Sequence, residues 1–141
     1  MAESWLFWAL LSAGFAALTA ILAKAGLAGV DSDLATLIRT VVILAFAAAI
    51  VAATGKGRGL SAIGGRSWLF LILSGLATGA SWLAYFRALK LGPASRVAPV
   101  DKLSVVLVAV LAVLVLGERL PLHHWLGVAL VAGGAVLLAL P

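Results

Sequence analysis

Five ionisable side chains stand within or beside long uncharged runs, and they are where this chain could do chemistry: Lys24, Arg39, Arg87, Asp101 and Lys102. In an apolar run such a group costs about 2.5–3.5 kcal/mol at mid-helix, so it normally meets a partner or a water-filled space. Arg39 is the sharpest case. Its guanidinium cannot shed its charge, and near a helix start it meets the unfavourable end of the dipole, so it calls for an anionic partner or ligand. Asp101 is the only carboxylate within a predicted membrane helix. A structural Arg39–Asp101 pair and a solute or proton role are both open readings. Lys102, about 100° around the helix from Asp101, is expected to point elsewhere. Lys24, Arg87 and Lys90 stand at helix C-termini, where they either line a polar vestibule or snorkel to an interface and complement the dipole.

Aromatic and small residues add two further features. Trp5, Trp8, Trp68 and Trp125 lie near run ends, as an interfacial belt requires. Trp82 lies deeper and shares a helical face with Tyr85 and Phe86, beside Gly75, Gly79 and Ser81. That face is either ordinary packing or the aromatic wall of a binding cavity below the charged residues. Gly75 and Gly79 permit close helix approach, and Gly127, Gly133 and Gly134 mark the last helix as a dimer seam. The chain holds no catalytic constellation: no Gly-rich phosphate loop, no G-x-S-x-G elbow, no H-E-x-x-H and no pair of buried carboxylates. With no cysteine, thiolate chemistry and disulfides are excluded. His123 and His124 are adjacent, point apart and have no third ligand near, so no metal site is expected and no cofactor is implied.

The elements that must position these residues are membrane helices. Of the 141 residues, 65% are hydrophobic and 11% charged, and the mean hydropathy is +1.23. Soluble domains carry about 45–50% apolar and about 25% charged residues, which excludes a water-soluble globule. The net charge of +5 does not indicate nucleic acid, because the ten Lys and Arg are scattered among apolar runs rather than gathered in a patch. Uncharged runs extend over Ser4–Ala23, Thr40–Gly55, Ser67–Phe86, Leu103–Gly117 and Leu120–Pro141. A crossing needs about 20 residues. The reading is an all-α membrane protein with five transmembrane helices, at Trp5–Gly26, Leu34–Thr54, Trp68–Leu89, Arg96–Leu116 and Pro121–Leu140, in a single domain over residues 1–141. The first run lacks a basic leader and exceeds a signal-peptide core, so it is expected to be retained.

Punctuation supports these bounds. Asp31-Ser32-Asp33 offers caps for the second helix, Gly55 to Gly59 reads as a flexible basic loop, Ser95 offers a cap for the fourth, Gly117 closes it and Pro121 opens the fifth. Loops this short make consecutive helices antiparallel neighbours. Lys56, Arg58, Arg66 and Arg119 fall on one face and Lys24, Arg87, Lys90 and Arg96 on the other. Four against four gives insertion little preference. Balanced flanks on an odd number of spans predict a dual-topology protein whose copies pair in opposite orientations; one fixed orientation is the alternative.

The stretch from Tyr85 through Ser104, with Leu116-Gly117-Glu118-Arg119-Leu120 and Leu126 through Gly134, resembles the EamA domain of the drug/metabolite transporter superfamily, closest to its small five-helix branch. The Leu-Gly-Glu-Arg turn followed by Gly-x-x-Leu-x-x-x-Gly is the most specific part, while the first two helices match by hydropathy, Lys24 and Arg39. Full-length members carry ten helices as two inverted halves, so the resemblance implies that this chain corresponds to one half. It also implies that the first four helices surround a central cavity and the last supports a dimer. The chain lacks the membrane-embedded glutamate that small multidrug resistance relatives carry in the first helix, and in place of the usual mid-helix proline of the fourth it has the earlier Pro99.

The expectation is a multi-pass inner-membrane transporter of small anionic or zwitterionic metabolites. It works by alternating access as an antiparallel homodimer in the lipid bilayer, with no nucleic-acid partner. Arg39, Trp82, Tyr85, Asp101, Lys102 and Lys24 are the candidate solute-binding residues, and Gly127, Gly133 and Gly134 the candidate dimer interface. The alternative is a non-transporting membrane subunit that packs with a partner protein or lipid carrier.

Overall fold

The computed structural model describes residues 4–140; Pro141, the end of the last uncharged run, lies outside them. Among the described residues there is no strand. Helices α1 (Trp5–Gly26) and α2 (Ser32–Ala53) are followed by a 3-10 turn (Lys56–Ala62), then α3 (Gly65–Leu91), α4 (Ala94–Asp101), α5 (Ser104–Leu116) and α6 (Leu122–Ala139). Five stretches are long and apolar enough to span, with α4 and α5 together making the fourth, Ala94–Leu116. Helices are what a membrane permits, since every backbone polar group must be satisfied within the segment.

The caps have identifiable causes. Asp31 starts α2: its Oδ1 accepts from the backbone N–H groups of Asp33 at 2.9 Å and Leu34 at 3.1 Å. Gly117 ends α5 at φ 69, a left-handed conformation that suits glycine, and the Glu118 N–H returns to the Ala112 carbonyl at 3.1 Å. Ser95 is not the cap of the fourth span. Pro93 holds that position without a side-chain bond, and Ser95 falls in the first turn of α4. The segment after Gly55 is not irregular: Gly55 at φ 67 redirects the chain into the 3-10 turn.

The fourth span is interrupted where the sequence reading has one continuous helix. Pro99 lies inside α4, and just beyond it the Lys102 and Leu103 N–H groups bond to the Pro99 and Val100 carbonyls, both at 3.0 Å. Val105 and Val106 likewise reach back three residues, to Lys102 and Leu103, at 3.0 Å. Proline supplies no N–H to the residue four before it, and the chain tightens into a 3-10 turn before resuming as α5.

The chain forms two compact units, one of residues through Lys24 with those from Leu91 onward, the other Ala25–Lys90. In the first, α6 packs on α4 and α5, and the buried residues Ala20, Ala109 and Ala135 are all alanines. Small side chains let backbones approach where lipid offers no hydrophobic drive between helices. The inward stripe of α6 is Val128, Ala132 and Ala135, at the helical spacing of four and three. At 100° per residue this leaves Gly127, Gly133 and Gly134 on the outward side, and a Cβ on any of them would meet nothing within 4 Å.

The second unit buries Leu27, Ser32, Thr36, Phe86 and Leu89. Its contacts lie in the first half of α2 and the second half of α3. Every α2 residue from Val41 to Ala53 and every α3 residue from Gly65 to Thr78 is exposed within the chain, and most are large and apolar. In a membrane that surface is covered by lipid or by another chain.

Candidate functional site

In the Ala25–Lys90 unit, α2 presents Ser32, Thr36 and Arg39 inward at spacings of four and three, and α3 presents Gly79, Trp82, Phe86 and Leu89 at spacings of three, four and three. Helical periodicity thus aims both stripes at one another. The Thr36 hydroxyl donates to the Ser32 carbonyl at 2.8 Å and Thr40 to the Thr36 carbonyl at 2.7 Å, so the threonines satisfy themselves on their own helix. Arg39 is half-buried, and its guanidinium carbon lies 4.4 Å from the centroid of the Trp82 ring and 5.2 Å from that of Phe86. Tyr85 continues the aromatic cluster, its ring edge-on to Phe86 at 6.4 Å.

The electrostatics of this cluster are unusual. Arg39 sits seven residues beyond Ser32, roughly 10 Å into the helix. Within its unit, among the described residues, it makes no ion pair or hydrogen bond; its charge faces two π systems. Such stacking contributes about 0.5–1 kcal/mol when exposed and about 2 when desolvated, less than the insertion cost of the charge. The guanidinium is thus held by the two rings rather than by a carboxylate of its own unit.

The end of this hairpin nearest Arg39 is closed by ionic contacts. Arg87 Nη2 lies 3.2 Å from both carboxylate oxygens of Asp33, and Lys90 Nζ donates to the Val30 carbonyl at 2.8 Å. Both partners of the ion pair are more than half exposed, so its worth is about 0–1 kcal/mol. Asp31 stands beside them. Its carboxyl is held below the ordinary 3.8 first by the backbone N–H of Leu34, then by that of Asp33, with Lys90 and Arg87 adding to the effect.

In the other unit, Lys24 Nζ donates to the Gly92 carbonyl at 2.8 Å, tying α1 to the turn before α4. Asp101 Oδ2 receives Lys102 Nζ at 3.4 Å. This corrects the expectation that Lys102 points elsewhere: the 3-10 tightening at Lys102 and the length of its side chain bring the ammonium back onto its neighbour. Arg39 and Asp101 belong to different units. Among the candidate residues, then, Arg39, Trp82 and Tyr85 are gathered in one unit, while Lys24, Asp101 and Lys102 lie in the other. Phe86 is a further member that the sequence reading placed only on the aromatic face. Its spacing of four from Trp82 is the signal that the same cation meets both rings.

The sequence matches the EamA-like transporter family over residues 3–140. It is 70% identical over 139 residues, 99% of each chain, to a Sinorhizobium protein described as an uncharacterized transporter in the cobO 3' region. No solved structure matches the chain.

Proposed function

Because this chain belongs to the EamA-like transporter family, and is a multi-pass membrane transporter acting on a small-molecule solute, we propose that the solute is anionic or zwitterionic and that Arg39 holds its anionic group. The observation that carries this reading is the placement of Arg39: a permanent cation well inside a membrane span, stacked on Trp82 and Phe86, with no carboxylate of its own unit paired to it. Trp82 and Tyr85 contact the apolar part of the solute. In the other unit, Asp101 serves a solute amine, with Lys102 beside it and Lys24 adding positive charge.

Transport proceeds by alternating access in an antiparallel, dual-topology homodimer in the inner membrane. The outward glycine side of α6, at Gly127, Gly133 and Gly134, forms the seam, supported by the open space above each of those Cα atoms and by the use of the opposite face for packing inside the chain. The interruption after Pro99 supplies a joint in the fourth span, since broken membrane helices occur where a pathway is lined. Thermal-shift screening of the purified protein tests the solute class. Small carboxylates or amino acids should raise the melting temperature of the wild type and leave Arg39→Ala unmoved; stabilisation by hydrophobic cations, or an equal shift in both proteins, would overturn the reading.

A further inference from the structure

The two ends of the α2–α3 hairpin hold basic residues in opposite circumstances. At the end carrying the start of α2, the cations are occupied: Arg87 by Asp33 and Lys90 by the Val30 carbonyl. At the other end, Lys56 and Arg58 lie in the 3-10 turn and Arg66 in the first turn of α3. All three are exposed, and among the described residues their side chains make no hydrogen bond or ion pair. The guanidinium of Arg66 has the ring of Phe70 at 5.9 Å. No Asp or Glu occurs anywhere between Asp33 and Asp101, so this unit contains no acidic residue that could serve them locally.

Placed between two membrane spans, the turn falls at a membrane edge, where headgroups lie. It joins two spans directly, α2 ending at Ala53 and α3 beginning at Gly65. It packs back on α2, and a Cβ at Gly57 would meet the Val51 side chain at 3.8 Å. Apolar groups sit among the cations: Leu60 is 54% exposed, Trp68 is 42% exposed and Ile63 is half-buried. Cations with interleaved apolar and tryptophan side chains at the edge of a span match a surface of acyl chain below and phosphate above.

We propose that the α2–α3 turn is a binding surface for anionic phospholipid, with Lys56, Arg58 and Arg66 contacting the headgroup phosphates and Leu60 and Trp68 the interface beneath. The surface is independent of the identity of the solute. In an antiparallel pair of copies, one such surface lies at each leaflet.

The test uses the full chain purified in detergent and offered equimolar phosphatidylglycerol and phosphatidylcholine, with retained lipids counted by native mass spectrometry. The wild type retains phosphatidylglycerol in preference, each basic side chain near the surface contributing about fivefold. The variant Lys56→Gln/Arg58→Gln/Arg66→Gln falls to near parity, whereas Arg87→Gln/Lys90→Gln keeps most of the preference. Parity in the wild type, an unchanged preference in the triple variant, or a larger loss in the second variant would overturn the proposal, as would co-purification of a polypeptide that masks the three cations. A measurement that does not depend on the triple variant folding is fluorescence quenching in vesicles. Brominated phosphatidylglycerol should quench Trp68, identified by difference against Trp68→Phe, more strongly than brominated phosphatidylcholine; equal quenching contradicts the assignment.

Discussion

Replacing Arg39 by leucine separates a cation that awaits a ligand from one that holds the bundle together. Arginine at mid-helix costs about 2.5–3.5 kcal/mol relative to water on insertion scales, and leucine gains about 0.5. Arg39 lies roughly 10 Å into α2, against a half-thickness of ~15 Å, so most of that cost applies. The Trp82 and Phe86 rings at 4.4 Å and 5.2 Å return about 1–2 kcal/mol. The net expectation for Arg39→Leu is a gain of about 1–2 kcal/mol, read as a higher midpoint in thermal or denaturant unfolding followed by tryptophan fluorescence. Anion-induced stabilisation should vanish in the same protein. A variant that is more stable and no longer responds to anions marks Arg39 as a binding residue. Had Arg39 been half of a buried ion pair, removing it would destabilise by about 3–5 kcal/mol. A loss of that size refutes the argument.

Other predictions follow from particular contacts. Pro99→Ala restores a backbone donor in the fourth span and removes the reason for the tightened turn at Lys102 and Leu103, so it should raise the melting temperature and slow solute uptake; faster uptake would contradict a role as a joint. A Cβ at Gly134 meets nothing within 4 Å inside the chain, so the Gly134→Leu monomer should retain its helicity while crosslinking between α6 helices through introduced cysteines falls severalfold; the native chain has no cysteine, which keeps that background clean. The cap at Asp31 gives a pH dependence with a fixed sign. Its carboxyl pKa is lowered below 3.8, so the stability it contributes is complete above that value and disappears as pH falls through the depressed one. The melting temperature of the wild type should therefore decline more steeply below 3.8 than that of Asp31→Asn, and parallel profiles would contradict the cap.

The sequence was informative where a single physical requirement dominated. Hydropathy fixes α1 at Trp5–Gly26 as expected, the aspartates at the start of α2 supply its cap, and Gly117 closes α5. The starts of α2 and α3 fall two and three residues earlier than the expected Leu34 and Trp68, because Ser32 and Gly65 enter the helix before the apolar run begins. The interruption of the fourth span was legible only as a proline: whether Pro99 bends, breaks or is absorbed depends on how the following N–H groups find acceptors, which periodicity does not encode. The order of the Gly55 turn was hidden for a related reason, since it comes from packing on α2. At the candidate site, the types Arg39, Trp82 and Tyr85 were visible, but the stacking of Arg39 on Trp82 and Phe86 is a tertiary contact. The Arg87–Asp33 pair was likewise out of reach, because it joins residues 54 positions apart.

Uptake into vesicles reconstituted with the purified chain tests the central claim most directly. Saturable entry of small carboxylates or zwitterions, lost in Arg39→Ala while a hydrophobic cation stays outside in both proteins, is the predicted result. Entry of the hydrophobic cation through the wild type, undiminished by Arg39→Ala, would contradict it.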